Sequence, residues 1–333
     1  MKAVVTGGAG FIGSHLVEEL VQRNYEVTVI DNLVSGKVKN LNSVIESIEF
    51  CQLDIRSSMI DEVFKGVDVV FHLAALADII PSITAPYEYI DNNVMGTVRV
   101  LEAARKNKVK KVIFAASSSC YGLPLNFPTS ETEPTNPQYP YALSKYLAEQ
   151  IFLHWKFVYK TEGVSLRLFN VYGPRARTSG NYGAVLGVFL GQKRAGLPLT
   201  IVGDGNQTRD FTYVSDVVKA FTLAHESPLT HEILNIGTSK PTSINRLAEL
   251  LGEKSIHIPK RPGEPDITHA DIGRAREELG WVPEISIEEG VSLVLKDIDS
   301  WADAPAWTAS QIEGSTIEWF RYLGSTDKSN HDH

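Results

Sequence analysis

Tyr141 and Lys145, in the run Tyr141-Ala142-Leu143-Ser144-Lys145, stand four residues apart, so a helix puts both on one face. A free phenol gives up its proton near pH ~10, too high for a base at neutral pH, and a cation held beside it favours the phenolate. Such a pair can strip a proton from an alcohol. Ser117 offers a hydroxyl partner for the reacting oxygen, with Ser118 and Ser119 competing for the role. Removing that proton becomes an oxidation only if something nearby takes a hydride from the same carbon.

The start of the chain holds a place for a hydride acceptor. Gly7-Gly8-Ala9-Gly10-Phe11-Ile12-Gly13 follows an apolar run and opens an amphipathic one. A strand, a glycine-rich turn and a helix N-terminus together present backbone N–H groups to a pyrophosphate. The spacing is G-x-x-G-x-x-G rather than G-x-G-x-x-G, and a glycine-rich turn alone is a weak signal. What strengthens it is Asp31, an acid at the end of the next strand, roughly twenty residues on. A carboxylate there accepts two ribose hydroxyls and repels a 2′-phosphate, so the expected cofactor is NAD rather than NADP. Asp54, after the third strand, either meets the adenine edge or caps a turn. Ala74 and Ala75 are small enough for a ring to lie on backbone, and His72 beside them reads as a packed strand-end histidine. The expected cofactor-binding set is Gly7, Gly10, Phe11, Ile12, Gly13, Asp31, Asn32, Asp54, Ile55, Leu73, Ala74 and Ala75, joined by Tyr141 and Lys145.

The elements that must carry these residues alternate. Apolar strand-like runs at 2–6, 27–30, 50–53, 67–73, 111–116 and 164–168 are separated by helical periodicity at 11–23, 94–106 and 141–159. That alternation predicts an α/β fold, a doubly wound parallel sheet of Rossmann type covered on both faces. After about residue 175, Gly180, Gly183, Gly196, Pro198, Gly203 and Gly205 break the pattern, and a smaller substrate-binding lobe is expected, with elements near 207–237 returning to the main sheet. Helices are expected at 242–251 and ending at 275–279. The division reads as 1–175 for the cofactor, 176–295 mainly for substrate, and 296–333 as an extension. The tryptophans of that extension read as packing residues, and its polar tail, 325–333, is expected to fray.

The chain has 333 residues, 43% hydrophobic and 22% charged, with a net charge of −8. That charge argues against a general nucleic-acid or membrane-surface binder. Cys51 and Cys120, the two cysteines, make no disulfide framework, so a reducing compartment, the cytoplasm, is expected. No run approaches the length of a membrane span, and no metal-ligand set is apparent.

Gly7 to Gly13, Asp31, His72-Leu73-Ala74-Ala75, Ser117-Ser118-Ser119-Cys120-Tyr121-Gly122 and Pro140 to Lys145 together resemble the extended short-chain dehydrogenase/reductase family. More narrowly, over about residues 1–295, the chain is similar to nucleotide-sugar epimerases and dehydratases, UDP-hexose 4-epimerases above all. The resemblance implies a seven-stranded parallel sheet, a small substrate domain and a homodimer formed through two helices per subunit. It implies catalytic roles for Ser117, Tyr141 and Lys145. Asn170, in Phe169-Asn170-Val171-Tyr172-Gly173-Pro174-Arg175, resembles the asparagine that meets the substrate phosphate. Arg209 and Arg261 resemble the arginines on the diphosphate, and Glu264 the acid on the nucleotide ribose. Thr268 falls where the family's hexose 4-epimerases gate the sugar pocket, a small residue admitting 2-acetamido sugars.

The family's 4,6-dehydratases carry Asp-Glu directly after the catalytic hydroxyl residue, where this chain has Ser118 and Ser119. Elimination of water needs acid–base groups at the leaving hydroxyl. The expected reaction is therefore NAD-dependent inversion of the sugar C4 hydroxyl of a UDP-sugar, through a transient 4-keto sugar. Dehydratase, decarboxylase and reductase chemistry stand as the enzymatic alternatives, and a binding protein that has lost turnover as the non-enzymatic one.

Overall fold

The structure is a computed structural model that describes residues 1–176, 184–301 and 304–324. Gly180, Gly183 and the tail 325–333 lie outside the described residues. Seven parallel strands make one sheet: β1 (Lys2–Thr6), β2 (Glu26–Asp31), β3 (Ile48–Gln52), β4 (Val69–His72), β5 (Lys111–Ser117), β6 (Glu162–Leu168) and β7 (His231–Ile236). Their order is β7-β6-β5-β4-β1-β2-β3. The chain winds from β1 to β2 and β3, then returns to place β4 on the other side of β1. Beyond the carboxyl ends of β1 and β4 the connections diverge, and a crevice opens there.

The strands are continuous apolar runs because both faces are covered. Alternate residues enter opposite cores. Val5, Phe71 and Ile113 pack with Leu16 and Leu20 of α1 (Phe11–Gln22) and with Phe221. Val4, Val70, Val112 and Phe114 pack with Val100 and Leu101 of α2 (Gly96–Lys106) and Phe152 of α3 (Pro140–Tyr159). Phe221 belongs to α4 (Val214–Glu226), which lies beside α1. The expected fold class is the observed one. Before α2 the chain makes a wider π-type turn, Ile90–Met95, which buries Asn92 and Asn93.

The second lobe is built from shorter pieces. Leu199–Val202 pairs in parallel with Ser255–Ile258, and two-residue ladders join Val171–Tyr172 to Thr212–Tyr213 and Thr208–Arg209 to Thr242–Ser243. Phe189, Leu199, Ile201, Leu247 and Trp301 share its core. The helix expected from residue 242 starts at Ile244, because Ser243 is its cap and accepts from the Arg246 N–H. Helices Val185–Arg194, Ile287–Lys296 and Ala309–Leu323 were not individually expected. The last begins with a reciprocal cap between Thr308 and Gln311. It returns from the extension to lie on the short helix Ile79–Thr84, burying Ile312 and Trp319 against Ile80 and Val188. Trp301 and Trp319 are both packed inside, and Trp301 and Trp307 also line the cavity over the sheet, a placement the packing expectation did not include.

Candidate active site

A cavity of about 920 Å³ lies over the carboxyl ends of the central strands. Of the expected cofactor residues, Gly7, Gly10, Phe11, Ile12, Gly13, Asp31, Asn32, Ile55, Leu73, Ala74 and Ala75 line it. Gly7 sits at φ +72°, and a Cβ there would come within 2.7 Å of the Ala74 nitrogen. A Cβ on Gly13 would stand 2.2 Å from the Gly7 carbonyl, so α1 can begin this close to β1 only without a side chain. Gly10 precedes α1 without a side-chain cap. The first-turn N–H groups thus keep donors for an anion.

Asp31 is buried, and burial pushes its carboxyl above the usual range. It accepts from the Ala9 N–H at 3.0 Å and the Leu33 N–H at 2.8 Å. A carboxylate has about four lone-pair positions, so about two remain for a diol. Asp54 departs from expectation: it does not line the cavity. Arg56 takes both its oxygens, at 2.8 and 2.7 Å, Asn32 donates to it at 3.0 Å, and it caps the Arg56 N–H. The guanidinium beside it holds its carboxyl well below the usual range. Arg56, Lys37 and Asn40 line the cavity instead, and no local signal in the sequence marked them.

His72 is 1% exposed, between the Thr6 and Thr97 hydroxyls at 2.7 and 3.0 Å. Thr97 donates to the Asn93 carbonyl, so its oxygen is the acceptor for His72 Nε2–H. Nδ1 then accepts from Thr6, whose own oxygen receives the Ala74 N–H. Only a neutral ring fits this chain, and burial depresses His72 to about 3. It is a packed histidine supporting the cavity wall.

The expected catalytic residues meet where β5 ends against the first turn of α3. Pro140 starts that helix, Tyr141 follows, and Lys145 stands one turn deeper. Tyr141 donates its hydroxyl to Ser117 Oγ at 3.4 Å, and Ser117 shares a 2.8 Å hydrogen bond with Ser119. Ser117 also accepts the Ser119 N–H at 3.2 Å, which fixes its Oγ at the strand end. Ser118 opens the short turn Ser118–Tyr121. The Lys145 ammonium does not reach for the phenol. It donates to the Ala115 carbonyl at 2.7 Å and lies 4.8 Å from the centre of the Phe114 ring. Burial lowers it to about 8. The Tyr141 phenol is pushed up, first by burial, with the Ser117 hydrogen bond opposing and the Asp78 carboxylate adding to the rise. The lowering expected from the lysine is therefore not a property of this arrangement. Ser117, Tyr141 and Lys145 are not in the cavity lining, which reaches β5 at Ala115.

The expected substrate residues form a second cluster. Arg209 and Arg261, 9% and 7% exposed, bring their guanidiniums to 3.7 and 3.8 Å from Glu264. Asn170, at φ +24°, donates to Thr268 Oγ1 at 2.9 Å, and the Asp210 N–H donates to the same oxygen at 3.0 Å. Thr268 is thus a tie between two loops. Tyr139 stands beside the first cluster, its ring stacked with Tyr141, centroids 6.4 Å apart at 9°; burial pushes its phenol up, with Tyr141 and Glu264 adding to the rise and Arg209 opposing.

A family model, the NAD dependent epimerase/dehydratase family, matches residues 3–237. The chain belongs to this family. It is 37% identical to the UDP-glucose 4-epimerase of Mycolicibacterium smegmatis over 88% of this chain and 96% of that one. The crystal structure of UDP-glucose 4-epimerase with UDP-glucose from Thermotoga maritima superposes with a TM-score of 0.84 at 38% identity, covering 89% of this chain and 98% of that one. The UDP-N-acetylglucosamine 4-epimerase of Methanobrevibacter ruminantium, in complex with UDP-N-acetylmuramic acid, gives 0.84 at 35% identity, with 89% and 98% covered. Members of the epimerase/dehydratase family depend on NAD, and the cleft fits it: bare glycines let backbone approach a pyrophosphate, first-turn donors face it, and Asp31 keeps acceptor capacity for a ribose.

Proposed function

We propose that the protein inverts the C4 hydroxyl of a UDP-hexose through a 4-keto sugar. The observation that carries this is the Tyr141–Ser117 pair at the end of β5, the strand whose Ala115 lines the NAD cleft, with no acid at 118 or 119 to drive an elimination. Tyr141, once ionised, takes the C4 hydroxyl proton, and Ser117 holds the reacting oxygen. When bound, NAD supplies a cationic ring and a hydride acceptor that returns the same hydride. Lys145 is close enough to the strand end to hold ribose hydroxyls, and Tyr141 returns its proton to the oxygen when the sugar presents its other face. Arg209 and Arg261 suit the diphosphate by charge and planar fork geometry. Asn170 sits beside them for the phosphate, and Glu264 for the nucleotide ribose. A firm hold there and a loose one on the sugar permit the turn.

The UDP-glucose and UDP-N-acetylglucosamine epimerases in the comparison support a UDP-sugar. Thr268, small and next to Asn170, supports acceptance of acetamido sugars alongside glucose and galactose. We assign 1–175 to the cofactor, 176–295 mainly to substrate, and the setting to the cytoplasm. No helix among the described residues is long and apolar enough to cross a membrane. Exposed Tyr87 and Met95 before and within the turn leading to α2, with Leu143 on neighbouring α3, support a homodimer through these helices.

The test is NMR of the NAD-loaded enzyme with UDP-glucose, UDP-N-acetylglucosamine and UDP-glucuronate. Interconversion of C4 epimers without net NADH or loss of water or CO₂ is the expected result. Loss of water or CO₂ would replace the epimerase reading. T268Y should abolish acetamido turnover while T268V, which loses only the hydroxyl, should not. Equal losses would assign Thr268 to loop tying alone.

A further inference from the structure

The helix Ala309–Leu323 reaches the site through one face. Ile312, Thr316 and Trp319 fall on a buried stripe, the first two seating the helix and the third ending between the two clusters. Trp319 is 2% exposed. Its indole N–H donates to the Pro262 carbonyl at 2.7 Å, inside the Arg261–Glu264 turn. The Arg261 guanidinium lies 5.6 Å from the indole centre. On another side the indole meets Tyr139, centroids 6.0 Å apart, and Tyr139 in turn stacks on Tyr141. Gly263, at φ +71°, gives the turn its sharp reversal, and a Cβ there would stand 4.0 Å from a Leu323 methyl.

A buried indole N–H needs an acceptor in any case, as Trp281 finds in the Asp216 carbonyl; what sets Trp319 apart is that its acceptor lies in the turn that carries Arg261 and that its ring also meets that guanidinium. Here a hydrogen bond restrains the backbone of the turn, the ring receives a cation, and the ring packs at a tilt against the aromatic pair that ends at the base. Cation–aromatic contacts strengthen when water is excluded, as it is here. We propose that Trp319 is a positioning residue for the nucleotide-sugar site: one side chain from the C-terminal extension sets both Arg261 at the diphosphate and, through Tyr139, the phenol of Tyr141. This rests on the UDP-hexose reading above and goes beyond it, because it gives the extension a part in substrate binding.

The test uses the NAD-loaded full chain. W319F keeps an aromatic ring and loses the N–H, so it carries the test even if W319A does not fold. Expected for W319F is UDP binding, by calorimetry, weakened about tenfold, with KM raised similarly, kcat within about twofold and NAD content unchanged. W319A should also lower kcat, by about tenfold, through loss of support to Tyr139. In an R261A background W319F should cost nothing further in UDP affinity, since the group it positions is gone. Wild-type affinity for UDP in W319F, or the same tenfold loss with and without Arg261, would overturn the proposal while leaving the UDP-hexose reading intact. Failure of the wild-type holoenzyme to bind UDP would overturn both.

Discussion

The two halves of the site are made of different material. The cofactor half is mostly backbone: three glycines, a helix N-terminus and strand ends that follow one another in the first quarter of the chain, with the Asp31 carboxylate at one of those ends. The substrate half is side chain: Tyr139, Asn170, Arg209, Arg261, Glu264, Thr268 and Trp319 converge from segments far apart in sequence. Backbone recognition tolerates almost no added atom where the chain approaches itself this closely. Side-chain recognition is the reverse, since each contact can be exchanged without refolding the neighbours. The first half is fitted to a fixed ligand, the second to one that varies between relatives.

That contrast can be broken at its seam. Y141F removes the proton carrier and nothing else, and should cut kcat about 10³-fold while UDP and NAD still bind; retained turnover would move the base elsewhere. Next in size is G13A, whose methyl has no room against the Gly7 carbonyl. It should cost roughly 3 kcal/mol by urea denaturation and empty the protein of NAD, and full occupancy would mean that the backbone cradle is softer than its geometry. The wall of the cofactor half answers to pH. His72 takes a proton only near pH 3 when folded and near 6.5 when unfolded, so between these values the unfolded chain binds more protons. The contribution of His72 to stability is present in full above about pH 6.5 and falls as pH falls, by about 2 kcal/mol at pH 5. H72Q should flatten that slope, and an unchanged slope would place the titration elsewhere. Smallest is R56A: its ion pair with Asp54 is partly exposed, so stability should change by less than about 1 kcal/mol and NAD affinity by less than about threefold. A larger effect would show that charges on the rim matter as much as backbone in the cofactor half.

The same contrast explains what the amino-acid order revealed. Gly7 to Gly13 and Asp31 were legible because the turn, the helix start and the strand end are local and leave a spacing. Tyr141 and Lys145 were legible as neighbours, but not the direction of the ammonium. That depends on where β5 places the Ala115 carbonyl and the Phe114 ring, and it leaves the phenol without the expected help. Asp54 carried two local readings; the structure adds an ion pair with Arg56, two residues on, that neither of them included. Helix Val214–Glu226 and strand His231–Ile236 were foreseen only as returning elements, because periodicity marks a segment without telling which sheet edge it joins. Trp319 was read as packing, which it is; that its packing partners are Pro262, Arg261 and Tyr139 is visible only after folding.

The placement of helix Ala309–Leu323 also orders events at the ribosome. All seven strands have been translated by Ile236, while this helix emerges much later. Domains commonly fold as their segments emerge. A nascent chain can therefore assemble the glycine turn and strand ends that meet NAD before Trp301 and Trp307 arrive to complete the cavity lining, and while the wall behind Arg261 is still unmade. Ribosome-stalled chains should retain NAD before they retain UDP, and simultaneous acquisition of the two would contradict that order.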